Sequence, residues 1–259
     1  MRTISLYETY NFTDAFYSGY SRFKHGSKTQ ARIFGRQLAE VCDFDSGSHL
    51  MFYSAPHNNV PTASNALKDY LLSGCSRQFM EKGITIEQGK IFRAYSYDDD
   101  YGKMSKEERR NAIKSDQLYI DKSFLSDKHT LVIIDDIKIT GSHEERIQEI
   151  LNREGIKNDV IYIYIAEYTG DDPTIEHRLN HRDVNNLIDI NHIIRNEEFI
   201  FNIRVVKFIL RASQEEFINF ITYQSDSFNE TLFSCAILNN YHNNPKYKDN
   251  FNILKTHVK

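Results

Sequence analysis

The stretch TLVIIDDIKITGSHEER, Thr130 to Arg146, restricts the folds open to this chain more than any other. Leu131, Val132, Ile133 and Ile134 form a short, largely β-branched apolar run, the pattern of a strand buried on both faces of a parallel sheet. Asp135 and Asp136 follow where that strand should leave the core. Thr140, Gly141, Ser142 and His143 then read as a small-residue turn. After Glu144 and Glu145, the spacing of Ile147, Ile150 and Leu151 predicts a helix.

That order has a chemical meaning. Backbone N–H groups in a tight turn opening a helix converge on one point and favour an anion. Gly141 lets the chain bend without a Cβ clash, and the hydroxyls of Thr140 and Ser142 add donors. Ionised carboxylates cannot donate, so Asp135 and Asp136 call for hydroxyl donors or a cation. A ribose 5-phosphate meets both halves, with its phosphate in the turn and its 2- and 3-hydroxyls on the acids.

An apolar strand, two acids, two apolar residues and a Thr/Gly-rich turn make this stretch resemble the 5-phosphoribosyl pyrophosphate (PRPP) loop of type I phosphoribosyltransferases. Asp135, Asp136, Ile137, Thr140 and Gly141 match that pattern, whereas Lys138, Ile139 and His143 stand where other residue types are usual. The resemblance implies that Asp135 and Asp136 hold the ribose hydroxyls, directly or through Mg²⁺ and its water. It implies that Ile139, Thr140, Gly141, Ser142 and His143 anchor the 5-phosphate.

A second unit has the same grammar. Residues 50–53 read as a buried strand, 54–61 as a loop and 62–72 as a helix, with Thr62 or Ser64 as its cap. The family's loop after its first core strand binds pyrophosphate and often contains a cis peptide. By that resemblance Ala55, Pro56, His57, Asn58 and Asn59 form the pyrophosphate loop, and Ala55–Pro56 is a bond at which cis costs little. The following helix would turn its positive dipole end to the pyrophosphate.

Elsewhere the reading is coarser. Ser27 and Gln30 look like a capping box opening a helix over 28–42, with Ala31, Phe34, Leu38 and Val41 at helical spacing. Arg22, Lys24 and His25 just before it are either a solvated loop or a reach toward an anion. Residues 4–10 have an imperfect alternation, and 84–91 predict a strand. From residue 93 the charge density jumps, and Ser105 with Glu108 marks a short helix. The resemblance places here a loop that closes over the pyrophosphate. Arg93, Tyr101 and Lys103 are its first candidates, with Lys106, Arg109 and Arg110 behind them, and closure would shield an oxocarbenium-like centre from water.

Gly155 is a plausible helix stop, and 159–167 predict another buried strand. Repeated strand–loop–helix units therefore argue for an α/β fold, a largely parallel central sheet flanked by helices. Ligands in such folds sit beyond the carboxyl ends of the strands, where both loops fall. Residues 175–184 look helical, and His177 and His181 lie four apart on that helix without the acid order of a zinc protease. The remaining text has helical spacing. We read 1–170 as a phosphoribosyltransferase-like core and 171–259 as a mostly helical hood, where His192, Arg195 or Arg204 are open candidates for base recognition.

Composition limits the rest. With 32 basic and 36 acidic residues among 259, the chain has no general electrostatic footprint for nucleic acid. Cys42, Cys75 and Cys235 have neither metal spacing nor an even count, which fits a reducing cytoplasm. No apolar run is long enough to cross a bilayer. Taken from Arg22 to Glu145, the order of features resembles phosphoribosyltransferase-like proteins of bacterial tellurite-resistance and stress gene clusters. The expected activity is Mg²⁺-dependent transfer of a phosphoribosyl group between pyrophosphate and a nitrogen base, with small-molecule partners and a homodimer allowed. The alternative is a non-catalytic PRPP or nucleotide sensor on the same fold.

Overall fold

The computed structural model describes residues 1–93 and 118–258. The expected lid residues Tyr101, Lys103, Lys106, Arg109 and Arg110, and the capping box at Ser105, lie outside the described residues. The chain divides into two compact units, one of Met1–Thr13, Ala31–His57 and Ser64–Glu176, the other of Asp14–Gln30, Asn58–Ala63 and His177–Lys259.

The first unit is built on five strands: β1 (Arg2–Thr9), β2 (His49–Ser54), β3 (Thr85–Gln88), β6 (His129–Lys138) and β7 (Val160–Tyr168). Their order is β1-β7-β6-β2-β3, and every pairing is parallel. Parallel neighbours need crossovers, which here are helices. Helix α3 (Ala63–Glu81) joins β2 to β3, and α4 (Ser142–Arg153) joins β6 to β7. Leu131, Val132, Ile133 and Ile134 in central β6 are all buried, as a strand covered on both faces requires. Edge strand β3 is exposed along its whole length. Edge strand β1 is only partly buried, which accounts for its irregular alternation.

The expected strand over 84–91 is split in two. Only Thr85–Gln88 joins the large sheet, while Ile91–Arg93 (β4) pairs antiparallel with Leu118–Ile120 (β5) in a separate ribbon. Gly89 marks the break. A Cβ there would lie 2.3 Å from the Tyr53 ring, so the chain passes too close to that ring for any side chain. Three other expectations shift. The helix expected over 62–72 runs to Glu81, the one expected over 175–184 ends at Asn180, and Ala55–Pro56 is trans, since no cis peptide occurs among the described residues. The stop at Gly155 is present, with φ 69° just after the α4 C-cap Glu154.

The second unit is helical. It contains α1 (Asp14–Lys24), α6 (Leu187–Asn196), α7 (Ile203–Leu210), α8 (Gln214–Thr222), α9 (Asp226–Leu238) and α10 (Pro245–Lys255), after a short α5 (Ile175–Asn180) at its boundary. Val60, Ile190, Val206, Phe217, Leu232 and Leu254 are among its core. Side-chain caps define its helix starts: Asn186 and Asp189 form a reciprocal capping box, and Asn202, Ser213, Ser225 and Asn244 each accept a backbone N–H. The basic run before α2 (Lys28–Val41) is committed internally. Arg22 pairs with Glu197 at 2.8 Å and lies 3.7 Å from Asp183, and His25 is fully buried. No helix among the described residues is long and apolar enough to cross a membrane.

Candidate functional site

Register places the two candidate loops side by side. β2 and β6 are adjacent and parallel, with Tyr53 opposite Ile133 and Ser54 opposite Ile134. Ala55 then leaves the sheet, whereas β6 continues through Asp135 and Asp136 to Lys138 beside β7, so the two acids stand in the strand at the level where the second loop begins. This is the carboxyl edge, where open parallel sheets bind ligands.

Asp135 and Asp136 are 8 % and 9 % exposed. Asp135 Oδ1 accepts the backbone N–H of Asp136 at 2.8 Å, and Asp136 Oδ1 accepts that of Ile137 at 2.8 Å. Asp135 Oδ2 accepts Nδ1–H of His143 at 2.9 Å. Across the turn, the Thr140 and Ser142 hydroxyls are 2.9 Å apart. Gly141 is the N-cap of α4 with φ 73° and ψ 0°, a left-handed conformation that glycine adopts without strain. The structure thus brings together Asp135, Asp136 and the turn residues Ile139 to His143, but it directs the His143 side chain to the acid rather than into the turn.

Lys138 braces this loop. Its ammonium lies 3.1 Å from Glu144 in the first turn of α4 and 3.1 Å from Glu167 on β7. Partial burial alone would lower the Lys138 ammonium, but the two glutamates outweigh it and hold it above its ordinary value. Beside them, burial pushes the Tyr164 hydroxyl well up, with the charges of Asp135 and Glu144 adding to it. Tyr162, which accepts from Gln148 at 2.9 Å, is pushed up to about 12, mainly by burial. Both rings are core residues rather than free stacking platforms, being 0 % and 3 % exposed.

The second loop is pinned to the small ribbon. His57 donates its backbone N–H to Ile91 at 3.2 Å and accepts that of Arg93 at 3.1 Å. Its Nδ1 donates to the Ala55 carbonyl at 3.0 Å. Of the two candidate caps, Thr62 directly precedes α3, while Ser64 lies inside the helix, fully buried, and accepts the Ala55 N–H at 3.2 Å. Asn58 and Asn59 belong to the other unit. There Asn59 donates its backbone N–H to Asn239 Oδ1 at 3.2 Å and its amide to the Leu238 carbonyl at 2.6 Å.

Two basic residues escaped the sequence reading. Burial lowers the His57 imidazole, and the positive charges of Lys90, Lys68 and Arg93 lower it further. Lys90 and Arg93 flank the backbone bridge to His57, and Lys68 lies one helical turn beyond Ser64. Lys68 is 6 % exposed, with Asp69 at 3.7 Å, and burial holds its ammonium below the ordinary value. The available signal was a lysine within the buried stripe Ser64, Leu67, Leu71 and Cys75 of α3.

The donor set suits a hard, substrate-carried cation. Two carboxylates are present, and no group of three or more His, Cys, Asp or Glu among the described residues is arranged to hold a metal. Mg²⁺ characteristically uses one or two carboxylates, keeps several waters and shares substrate phosphates.

Solved phosphoribosyltransferases match part of the chain. Hypoxanthine phosphoribosyltransferase of Trypanosoma cruzi is 9% identical, with 55% of this chain and 75% of that one covered and a TM-score of 0.33. The corresponding Staphylococcus aureus enzyme is 13% identical over 55% and 74%, with a TM-score of 0.30. Adenine phosphoribosyltransferase of Saccharomyces cerevisiae is 12% identical over 61% and 75%, with a TM-score of 0.27. No curated protein sequence matches the chain. The PRTase ComF-like family model matches residues 2–254, and the chain belongs to this phosphoribosyltransferase family.

Proposed function

We propose that this phosphoribosyltransferase binds PRPP with Mg²⁺ at the carboxyl-terminal parts of β2 and β6 and transfers its phosphoribosyl group to or from a nitrogen base. The supporting observation is the register that pairs Ser54 with Ile134, after which Ala55 opens an anion-seeking loop and Asp135 begins the hydroxyl-seeking pair on the adjacent strand. In this reading Asp135 and Asp136 accept the ribose hydroxyls. The turn from Ile139 to His143 receives the 5-phosphate on its backbone N–H groups and hydroxyls. His57, Arg93, Lys68 and Lys90 supply positive potential for the pyrophosphate, with Ala55 and Pro56 shaping its loop. Mg²⁺, when bound through Asp135, Asp136 or their waters, would neutralise charge on the departing pyrophosphate.

In the forward reaction the C1–O bond to pyrophosphate breaks, and pyrophosphate leaves with the electron pair. The base nitrogen forms the new C1–N bond. The protein need supply no nucleophile. It holds the ring so that C1 faces the base, and it keeps water from the cationic centre. Arg93 stands where β4 leads into the segment carrying Tyr101 and Lys103, the residues proposed for that exclusion.

A non-catalytic PRPP sensor is the second reading. Lys138 favours it, because Glu144 and Glu167 both engage its ammonium within the protein. Incubation with PRPP, Mg²⁺ and a mixture of purine and pyrimidine bases separates the two. Transfer predicts pyrophosphate release that depends on the added base. Binding of PRPP without release across the panel supports the sensor, and failure to bind PRPP at all removes the site.

A further inference from the structure

We propose that His143 is a positioning residue that sets the spacing between the hydroxyl-binding and phosphate-binding halves of the loop. The inference rests on the PRPP reading above and deepens it. His143 is the second residue of α4, and Asp135 lies in β6, three residues before the strand ends at Lys138. Their 2.9 Å hydrogen bond joins residues eight apart in sequence and closes the loop into a ring.

The bond also fixes the acid. Asp135 Oδ1 is held by the Asp136 backbone N–H and Oδ2 by the imidazole, so one donor on each oxygen defines the carboxylate plane. Each oxygen retains a second lone pair for a ribose hydroxyl. A carboxylate only accepts, so the imidazole hydrogen sits on Nδ1. The contact is shielded on the acid side, where the Asp135 side chain is 11% exposed against 44% for His143.

A ribose 5-phosphate has a fixed reach from its diol to its phosphate. A loop whose two binding halves are tied together matches that reach without reordering on binding, which is how outer partners orient the groups that touch a ligand. The tie touches none of the candidate pyrophosphate groups, which lie in the loop after β2, on α3 and at the start and end of β4. Loss of His143 should therefore affect one half of PRPP only.

Calorimetry with Mg²⁺ in excess tests this on wild type, His143→Ala and His143→Asn, with circular dichroism to confirm folding. Asparagine places an amide N–H near the position of Nδ1. His143→Ala is expected to bind PRPP and ribose 5-phosphate about 10–100-fold more weakly, as for loss of other orienting partners. It should bind pyrophosphate as wild type does, and His143→Asn should recover most of the PRPP affinity. Unchanged PRPP affinity in His143→Ala, equal loss in His143→Asn, or parallel loss of pyrophosphate binding would each overturn the positioning role. A second readout needs no ligand. Nitrogen NMR of the imidazole should show the Nδ1–H tautomer in wild type and its loss in Asp135→Ala; an Nε2–H tautomer in wild type contradicts the proposal. Wild type that binds no PRPP but shows the expected tautomer sinks the PRPP reading and the positioning role with it, and leaves only the hydrogen bond.

Discussion

Two buried ionisable side chains show how single residues carry information here. Lys68 sits in the apolar stripe of α3, where a lysine is costly unless something anionic repays its burial. Replacing a buried charge by an apolar group of similar size is often neutral or stabilising. Lys68→Met should therefore leave the melting temperature unchanged or higher while weakening pyrophosphate binding about tenfold, a loss of roughly 1.4 kcal/mol. Titration calorimetry and a thermal melt check both halves; a destabilised variant with unchanged affinity would make Lys68 a structural residue only.

His25 carries a different prediction. Burial, assisted by the charges of Arg204, His181 and Lys24, lowers it from 6.5 to about 3, while its Nδ1 donates to the Ser21 carbonyl at 2.8 Å. Between those values the unfolded chain binds a proton that the folded chain refuses. Stability contributed by this residue is therefore intact above pH 6.5 and falls as pH drops toward 3. The loss should be about 2 kcal/mol by pH 5. Denaturant titrations at pH 7 and pH 5 measure it, and the slope should flatten in His25→Asn.

At the level of elements, the turn before α4 depends on Gly141. Gly141→Ala places a Cβ in a left-handed conformation, φ 73°, and should cost roughly 1 kcal/mol, lowering the melting temperature by a few degrees. A Cβ there meets only ordinary contacts, at 3.9 Å from Glu144 and 4.0 Å from Lys138, so the penalty is backbone strain rather than a clash. An unchanged melt would mean that the turn relaxes freely.

The central strands β2, β6 and β7 were legible because burial on both faces writes a continuous apolar run. The Asp135–Asp136 pair and the Gly141 turn were legible for a related reason: special backbone and acceptor-only groups demand particular residue types. The β4–β5 ribbon was not, since each strand has three residues and their pairing spans a long sequence gap. Nor was the break at Gly89, which depends on the distant Tyr53 ring. Lys68 was hidden in a helix whose buried face can be read only once the neighbouring loop is placed. The contact between His143 and Asp135 was equally invisible, because helical phase at α4 decides where that imidazole points.

At the scale of the whole molecule, one family relationship spans residues 2–254 while the described chain forms two compact units. The parallel sheet, the loop after β6 and residues Ala55 to His57 lie in one unit, and a helical core with well-capped helices forms the other. In the proposed reading PRPP binds the first of these, with Asp135 and Asp136 holding the ribose. Calorimetric titration of PRPP with Mg²⁺ into wild type and the double variant Asp135→Asn, Asp136→Asn tests it most directly. Wild type should bind, the folded double variant should lose at least tenfold in PRPP affinity, and binding of pyrophosphate alone should be retained. Equal PRPP affinity in the two proteins would contradict that reading.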